Sequence, residues 1–238
     1  NKAALTLTAS DVTKTYGQSV ALSAYVASGL QNGETIGSVS LASPGAVATA
    51  GVGPSPYAIT IANPVGGTFS LANYDVTYVS GLLRVGKATL TVTPGAAKTY
   101  DGNPFSGGSV TYSGFVNSET PSVLGGSLTY GGAAQGASGA GTYSLTASGQ
   151  NSANYDIVYA PGNLVVGKAG LTVTALPGSK VQDGAPYVGG AGVTYAGFVA
   201  GQGAAQLGGL LSYGGTSQGA VAAGTYAIMP MGLTSPNY

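Results

Sequence analysis

One phrase occurs three times along these 238 residues, so the fold has to be one that a phrase at that spacing can build repeatedly. Lys2-Ala3-Ala4-Leu5-Thr6-Leu7-Thr8 returns as Lys87-Ala88-Thr89-Leu90-Thr91-Val92-Thr93 and as Lys168-Ala169-Gly170-Leu171-Thr172-Val173-Thr174, at nearly equal intervals. A second landmark, Ala72-Asn73-Tyr74-Asp75, returns as Ala153-Asn154-Tyr155-Asp156 and again as Ser235-Pro236-Asn237-Tyr238, at matching intervals. Two landmarks with one common period define tandem modules at 1–86, 87–167 and 168–238, and such a repeat overrides a domain count based on length.

Smaller echoes support the division. Lys98-Thr99-Tyr100-Asp101-Gly102-Asn103-Pro104 is matched by Lys14-Thr15-Tyr16-Gly17, and more loosely by Lys180-Val181-Gln182-Asp183-Gly184-Ala185-Pro186. Gly141-Thr142-Tyr143 is matched by Gly224-Thr225-Tyr226 and by Tyr57. The third module has nothing that corresponds to residues 156–167. That predicts an unpaired sheet edge over an incompletely covered core, completed either by a continuation of the parent chain or by a neighbouring copy that adds a strand.

Within a module the pattern has period two, with β-branched and aromatic residues between Gly, Pro, Asn and Asp punctuation, and this is the signal of strands and turns. In the second module it predicts strands at about 89–93, 109–115, 126–131, 141–148, 155–159 and 163–167. Asn117 to Leu124, stopped by Gly125, predicts a single helical turn, and Ala200 to Leu207 fills the same slot in the third module. At the junctions, apolar residues change parity: Leu83 and Val85 are odd, Leu90 and Val92 even, and Leu164 and Val166 reverse the order against Leu171 and Val173. Alternate residues of a strand face opposite ways, so the flip predicts a near-continuous strand serving two successive cores on different sides, in a stiff, elongated rod.

Composition removes several functions. Charged residues are 6% of the chain, against a usual quarter, and seven basic residues balance seven acidic ones, which leaves no footprint for a polyanion. A hydrophobic content of 44% with 42 glycines is enough to fold. There is no cysteine and no histidine, so disulfides, thiolate sites and the commonest general base are all missing. No apolar run reaches the length of a membrane helix, and the start at Asn1 reads as that of an internal fragment.

The acidic residues are dispersed. Asp75 and Asp156 lie in the Asn-Tyr-Asp phrase, Asp101 and Asp183 in Asp-Gly turns, and Asp11, Glu34 and Glu119 stand alone. Asp-Gly is turn chemistry, because Asp bonds nearby backbone while Gly102 supplies positive φ. Calcium needs six to eight clustered oxygens, so no metal, cofactor or catalytic residue is expected. A Lys87 to Asn154 amide crosslink has the residue types but also needs a buried carboxylate, and an exposed junction lysine with a turn asparagine is the simpler reading. Of the 16 tyrosines, Tyr74, Tyr155, Tyr238, Tyr143 and Tyr226 hold fixed module positions, which predicts packing roles rather than a sugar-stacking surface, and Tyr16 and Tyr100 mark the Lys-Thr-Tyr turn as a structural motif.

The Lys-Ala-x-Leu-Thr-Val-Thr start, the Lys-Thr-Tyr-Asp-Gly-Asn-Pro turn, the Gly-Thr-Tyr strand and the Ala-Asn-Tyr-Asp opening resemble the MBG and YDG repeats of large exported bacterial adhesins of the filamentous-haemagglutinin type. The resemblance implies small, mainly β modules, either Ig-like sandwiches or β-grasp-like units with a short helical turn. It also implies an extracellular, cell-surface location and the role of a structural stalk that projects a binding tip. The alternative is an adhesive module binding glycan, mucin, matrix polysaccharide or a like copy. Expected partners are such a surface or another chain at the third module, with no nucleic acid, no membrane insertion and no enzymatic activity.

Overall fold

The computed structural model describes residues 1–199 and 201–238, and they form strands, turns and short 3₁₀ segments of three residues each. The first repeat contains β1 (Ala3–Ala9), β2 (Val12–Thr15), β3 (Tyr25–Ser28), β4 (Ile36–Ala42), β5 (Tyr57–Gly67), β6 (Tyr74–Val79) and β7 (Gly81–Gly86). The second contains β8 (Ala88–Thr99), β9 (Ser109–Ser113), β10 (Gly125–Gly131), β11 (Gly141–Asn151), β12 (Tyr155–Tyr159) and β13 (Gly162–Gly167). Residues 168–238, which the phrase at Lys168 marks as a third repeat in the sequence, contain β14 (Thr172–Ala175), β15 (Val193–Ala196), β16 (Gly208–Gly214) and β17 (Met229–Thr234). The fold is all-β, as the period-two pattern predicts.

The opening phrase forms a strand with the same register in two repeats. β1 pairs in parallel with β6, placing Tyr74 opposite Ala3, and β8 pairs in parallel with β12, placing Tyr155 opposite Ala88. Farther along, β2 pairs in parallel with β7, and residues 95–99 of β8 pair in parallel with β13. Pro94 lies between the residues of β8 that pair with β12 and those that pair with β13. These parallel pairs set the module apart from a purely antiparallel sandwich. The helical slot holds one 3₁₀ turn, Pro121–Val123, with Ala204–Gln206 at the corresponding place in the third repeat. Ala200, where that third slot was expected to begin, lies outside the described residues.

Contacts gather into two compact units whose limits fall inside the second repeat. The first comprises Asn1–Thr93, Thr111–Thr129 and Ser148–Ala160, and the second Pro94–Val110, Tyr130–Ala147 and Pro161–Tyr238. The core of the first includes Leu5, Leu7, Ile59, Leu83, Leu90 and Tyr155, so it draws on two successive repeats. That of the second is smaller, with Tyr100, Ala134, Leu145, Leu164 and Val166.

The parity flip at Gly86-Lys87 does not divide two cores. Leu83, Val85, Ala88 and Leu90 all belong to one buried cluster. The reason is that the strand is interrupted: β7 ends at Gly86, β8 begins at Ala88, and pairing passes from β2 and β5 to β12. Alternation fixes a side chain's face only within an unbroken strand.

In the third repeat, β14 pairs with β15 and β16 with β17. Residues 178–182 and 222–228 flank a cleft of about 350 Å³. Their counterparts in the earlier repeats flank β7 and β13. Ile228 is half-buried, whereas its counterparts Ile59 and Leu145 are fully buried.

Candidate module-docking interface

Repeat one meets repeat two inside the first unit, around a tight turn. Glu119 N–H donates to Val116 O at 3.0 Å, and the two residues between, Asn117 and Ser118, have φ of 54° and 59°. Positive φ at both central positions is the type I′ geometry, which favours Asn, Asp and Gly. The first repeat builds the same turn from the more favourable pair Asn32-Gly33, with φ of 53° and 69° and a 2.9 Å bond from Glu34 N–H to Gln31 O. In both repeats the turn ends on a glutamate.

The Glu119 carboxylate bridges two tyrosines. Oε1 accepts the hydroxyl of Tyr16, from the preceding repeat, at 2.5 Å, and Oε2 accepts that of Tyr155. Val116 N–H donates to Tyr155 Oη at 3.0 Å, so this buried hydroxyl both gives and receives a bond. The two rings meet edge to face, 5.6 Å between centroids and 88° between planes, and Phe115 packs against Tyr155 at 5.5 Å in the same manner. Such pairs add to what area burial supplies.

Backbone groups complete the contact. Val52 N–H donates to Asn154 Oδ1 at 3.0 Å, and Asn117 Nδ2 donates to Ala48 O at 3.3 Å. Gly17, at φ 89°, lies so close to Val116 that an added Cβ would stand 2.5 Å from the valine Cβ. Only glycine meets both demands. Burial, then the neighbouring carboxylate, pushes the Tyr155 phenol up to about 12. For Tyr16 the Glu119 hydrogen bond comes first and burial second, also upward.

The second unit contains the next junction, with the carboxylate replaced by an amide. Tyr100 and Tyr238 meet at 5.5 Å and 85°, and Phe198 meets Tyr238 at 5.2 Å and 87°. Gln202 Oε1 accepts the Tyr238 hydroxyl, while its Nε2 donates to Tyr100 Oη at 2.6 Å. Val199 N–H donates to Tyr238 Oη at 3.1 Å, and Ala140 N–H to Asn237 Oδ1 at 2.9 Å. A glutamate can only accept, so both tyrosines donate to it; a glutamine accepts from one and donates to the other.

The other singled-out residues are structural in different ways. Asp101 Oδ1 accepts Asn103 N–H at 3.0 Å across Gly102, whose φ is 76°, so the Asp-Gly turn forms as expected. Lys98, 2.6 Å away, holds the Asp101 carboxyl below the usual range, and Lys180 does the same for Asp183. The Tyr143 hydroxyl donates to Gly139 O at 3.0 Å, and those of Tyr57 and Tyr226 donate to the carbonyls of Gly51 and Ala222. Tyr226 departs from the packing role, since it is 38% exposed and lines the cleft of the third repeat. Lys87 Nζ donates to Ser152 O at 3.0 Å while Asn154 Oδ1 is engaged by Val52, so that lysine and asparagine serve separate contacts.

Glu34 and Glu119, isolated acids in the sequence, and Gln202, which the sequence did not single out, are the turn-end residues that accept the strand-opening tyrosine hydroxyls. The signal was present, because Glu119 follows Glu34 by the interval that separates Lys87 from Lys2, and Gln202 follows Glu119 by the interval that separates Tyr238 from Tyr155.

The arrangement defines a class: tandem all-β repeats in which a tyrosine turn of one copy seats against a turn acid or amide and a strand-opening tyrosine of the next. The MBG domain (YGX type) matches residues 5–84 and 90–165, and the chain belongs to that family. No curated protein matches it.

Proposed function

We propose that this chain is a structural spacer, a repeat segment in the stalk of an exported bacterial cell-surface protein that holds a binding tip away from the surface. The observation that carries the reading is the Tyr16–Glu119–Tyr155 cluster. A buried, hydrogen-bonded contact between successive repeats resists their separation, as a load-transmitting spacer requires, and no flexible Ser/Gly/Pro linker dilutes it. The lack of His and Cys and the commitment of carboxylates to turns and junctions support a non-catalytic role. The adhesive alternative is less well supported, because Tyr16, Tyr74, Tyr100 and Tyr155 are buried and unavailable to stack on sugars.

The test places the chain between a surface anchor and a tip of known ligand. Removing residues 87–167 should shorten the reach of the tip while leaving its affinity unchanged. Binding of glycan, mucin or cells by the chain without a tip would overturn the spacer reading in favour of adhesion.

A further inference from the structure

The first repeat carries the receiving half of a junction. Tyr74, itself buried, donates its hydroxyl to Glu34 Oε2 at 2.6 Å and receives Gln31 N–H at 2.8 Å, matching the bonds around Tyr155. Three polar groups of the second repeat turn to the preceding one: Glu119 Oε1, Asn154 Oδ1 and Asn117 Nδ2. Their counterparts by position are Glu34 Oε1, Asn73 Oδ1 and Asn32 Nδ2. None of these three atoms has a hydrogen-bond partner among the described residues, and Glu34, Asn32, Asn73 and Tyr74 line a depression of about 510 Å³.

We propose that this face is a docking socket for another repeat of the same family, one whose Lys-Thr-Tyr turn places a tyrosine hydroxyl on Glu34 Oε1. The occupant follows from the two filled junctions. In each the incoming group is the tyrosine of a Lys-Thr-Tyr turn, Tyr16 or Tyr100, set edge-on to the strand-opening tyrosine. Asn73 then accepts a backbone N–H, as Asn154 does from Val52 and Asn237 from Ala140. The incoming ring selects the partner. An acid at Glu119 and an amide at Gln202 both seat such a tyrosine, but a turn with glutamine in its place, as at Gln182 of the third repeat, brings no ring to set edge-on to Tyr74. The inference rests on junction geometry and holds whether or not the parent protein is a stalk.

A copy of residues 87–167, joined through its last glycine directly to Lys2 of the full chain, tests it by a double-mutant cycle. In the extended chain, Glu34→Ala and Tyr→Phe in the added Lys-Thr-Tyr turn should each lower the melting temperature of the first repeat by several degrees. Together they should lower it no further than the larger single effect. In the unextended chain Glu34→Ala should have a clearly smaller effect. Additive effects in the cycle, or an equal Glu34→Ala effect in both chains, overturn the proposal. Should the added repeat fail to fold, a synthetic peptide copying residues 94–106 is titrated into the unextended chain. Amide shifts at Gln31, Glu34 and Asn73 that vanish with Glu34→Ala support the socket, and unmoved resonances overturn it.

Discussion

Tyr16 and Tyr155 belong to different repeats, yet their rings meet edge to face at 5.6 Å and their hydroxyls end on the two oxygens of one glutamate, Glu119. Two successive repeats are thereby joined through side chains as well as through the peptide bond. The same relationship recurs between Tyr100 and Tyr238 with Gln202 between them.

Tyr155 should be the most costly of these residues to lose. Its side chain is among the largest that are fully buried, and it packs against Tyr16, Phe115 and the opening strand. Tyr155→Ala should destabilise the first unit by about 3–5 kcal/mol, the usual cost of emptying an aromatic site. Tyr155→Phe keeps the ring but strands a charged acceptor, at a cost of about 1.5–3 kcal/mol. Urea unfolding of both variants checks the order, and an unchanged midpoint for the alanine variant would show that the ring is not a structural anchor.

The chain supplies its own control for the junction acid. Glu119→Gln should convert the first junction to the hydrogen-bond pattern already present at Gln202, with Tyr16 switching from donor to acceptor. The loss should be about 1 kcal/mol, the difference between a charged and a neutral hydrogen bond. Glu119→Ala removes both acceptors beside two buried rings and should cost about 2–3 kcal/mol. Equal losses for the two variants, measured by chemical unfolding, would refute the bridging role.

Much of the fold was legible because it depends on local pattern. Alternating residues and turn residues placed β9, β10, β12 and β13 within two residues of their true limits but ended β8 at 93 and β11 at 148, short of Thr99 and Asn151, and the Asn-Tyr phrase located the buried Tyr74 and Tyr155. The site was less legible because its partners are remote: Tyr16 and Glu119 are 103 residues apart, and no single repeat contains the whole cluster. Glu119 looked isolated because its partners are uncharged phenols rather than an opposite charge. The parity of Leu83 and Leu90 misled for another reason, since alternation says nothing about how two strands are set across a break at Lys87.

Alkaline pH should open the first junction. The Tyr155 phenol titrates at about 12 in the fold, and an unfolded tyrosine at about 10. A raised acid keeps its proton longer when folded, so its contribution is fully present below about pH 10 and is lost as pH climbs toward 12. Tyr16 shifts in the same direction. Melting temperatures recorded from pH 8 to 12 should be level at first and then fall, with a shallower fall for Tyr155→Phe. An identical fall in that variant would place the alkaline sensitivity elsewhere.

The cleft of the third repeat should accept a strand of defined pattern. In the first repeat, β7 lies between β2, paired in parallel, and β5, paired antiparallel; in the second, β13 lies between residues 95–99 and β11 in the same two senses. Both inserted strands read Gly-x-Leu-x-Val-Gly and bury the leucine and valine: Leu83 and Val85, Leu164 and Val166. Residues 178–182 and 222–228 hold the flanking positions around the 350 Å³ cleft. A copy of residues 156–167 appended after Tyr238 should therefore lay its Gly-Asn-Leu-Val-Val-Gly segment between them. Each newly buried leucine or valine contributes roughly 1.5–3 kcal/mol, from which the cost of ordering the added residues is subtracted. The third repeat should melt at a higher temperature, and the amides around Tyr226 and Ile228 should exchange more slowly. Replacing the appended copy of Leu164 by Asp should abolish both gains, because the same strand would then bring an unpaired charge into the core. Exchange rates that are indifferent to the extension, or a gain that survives the aspartate, would mean that the added segment lies elsewhere on the surface.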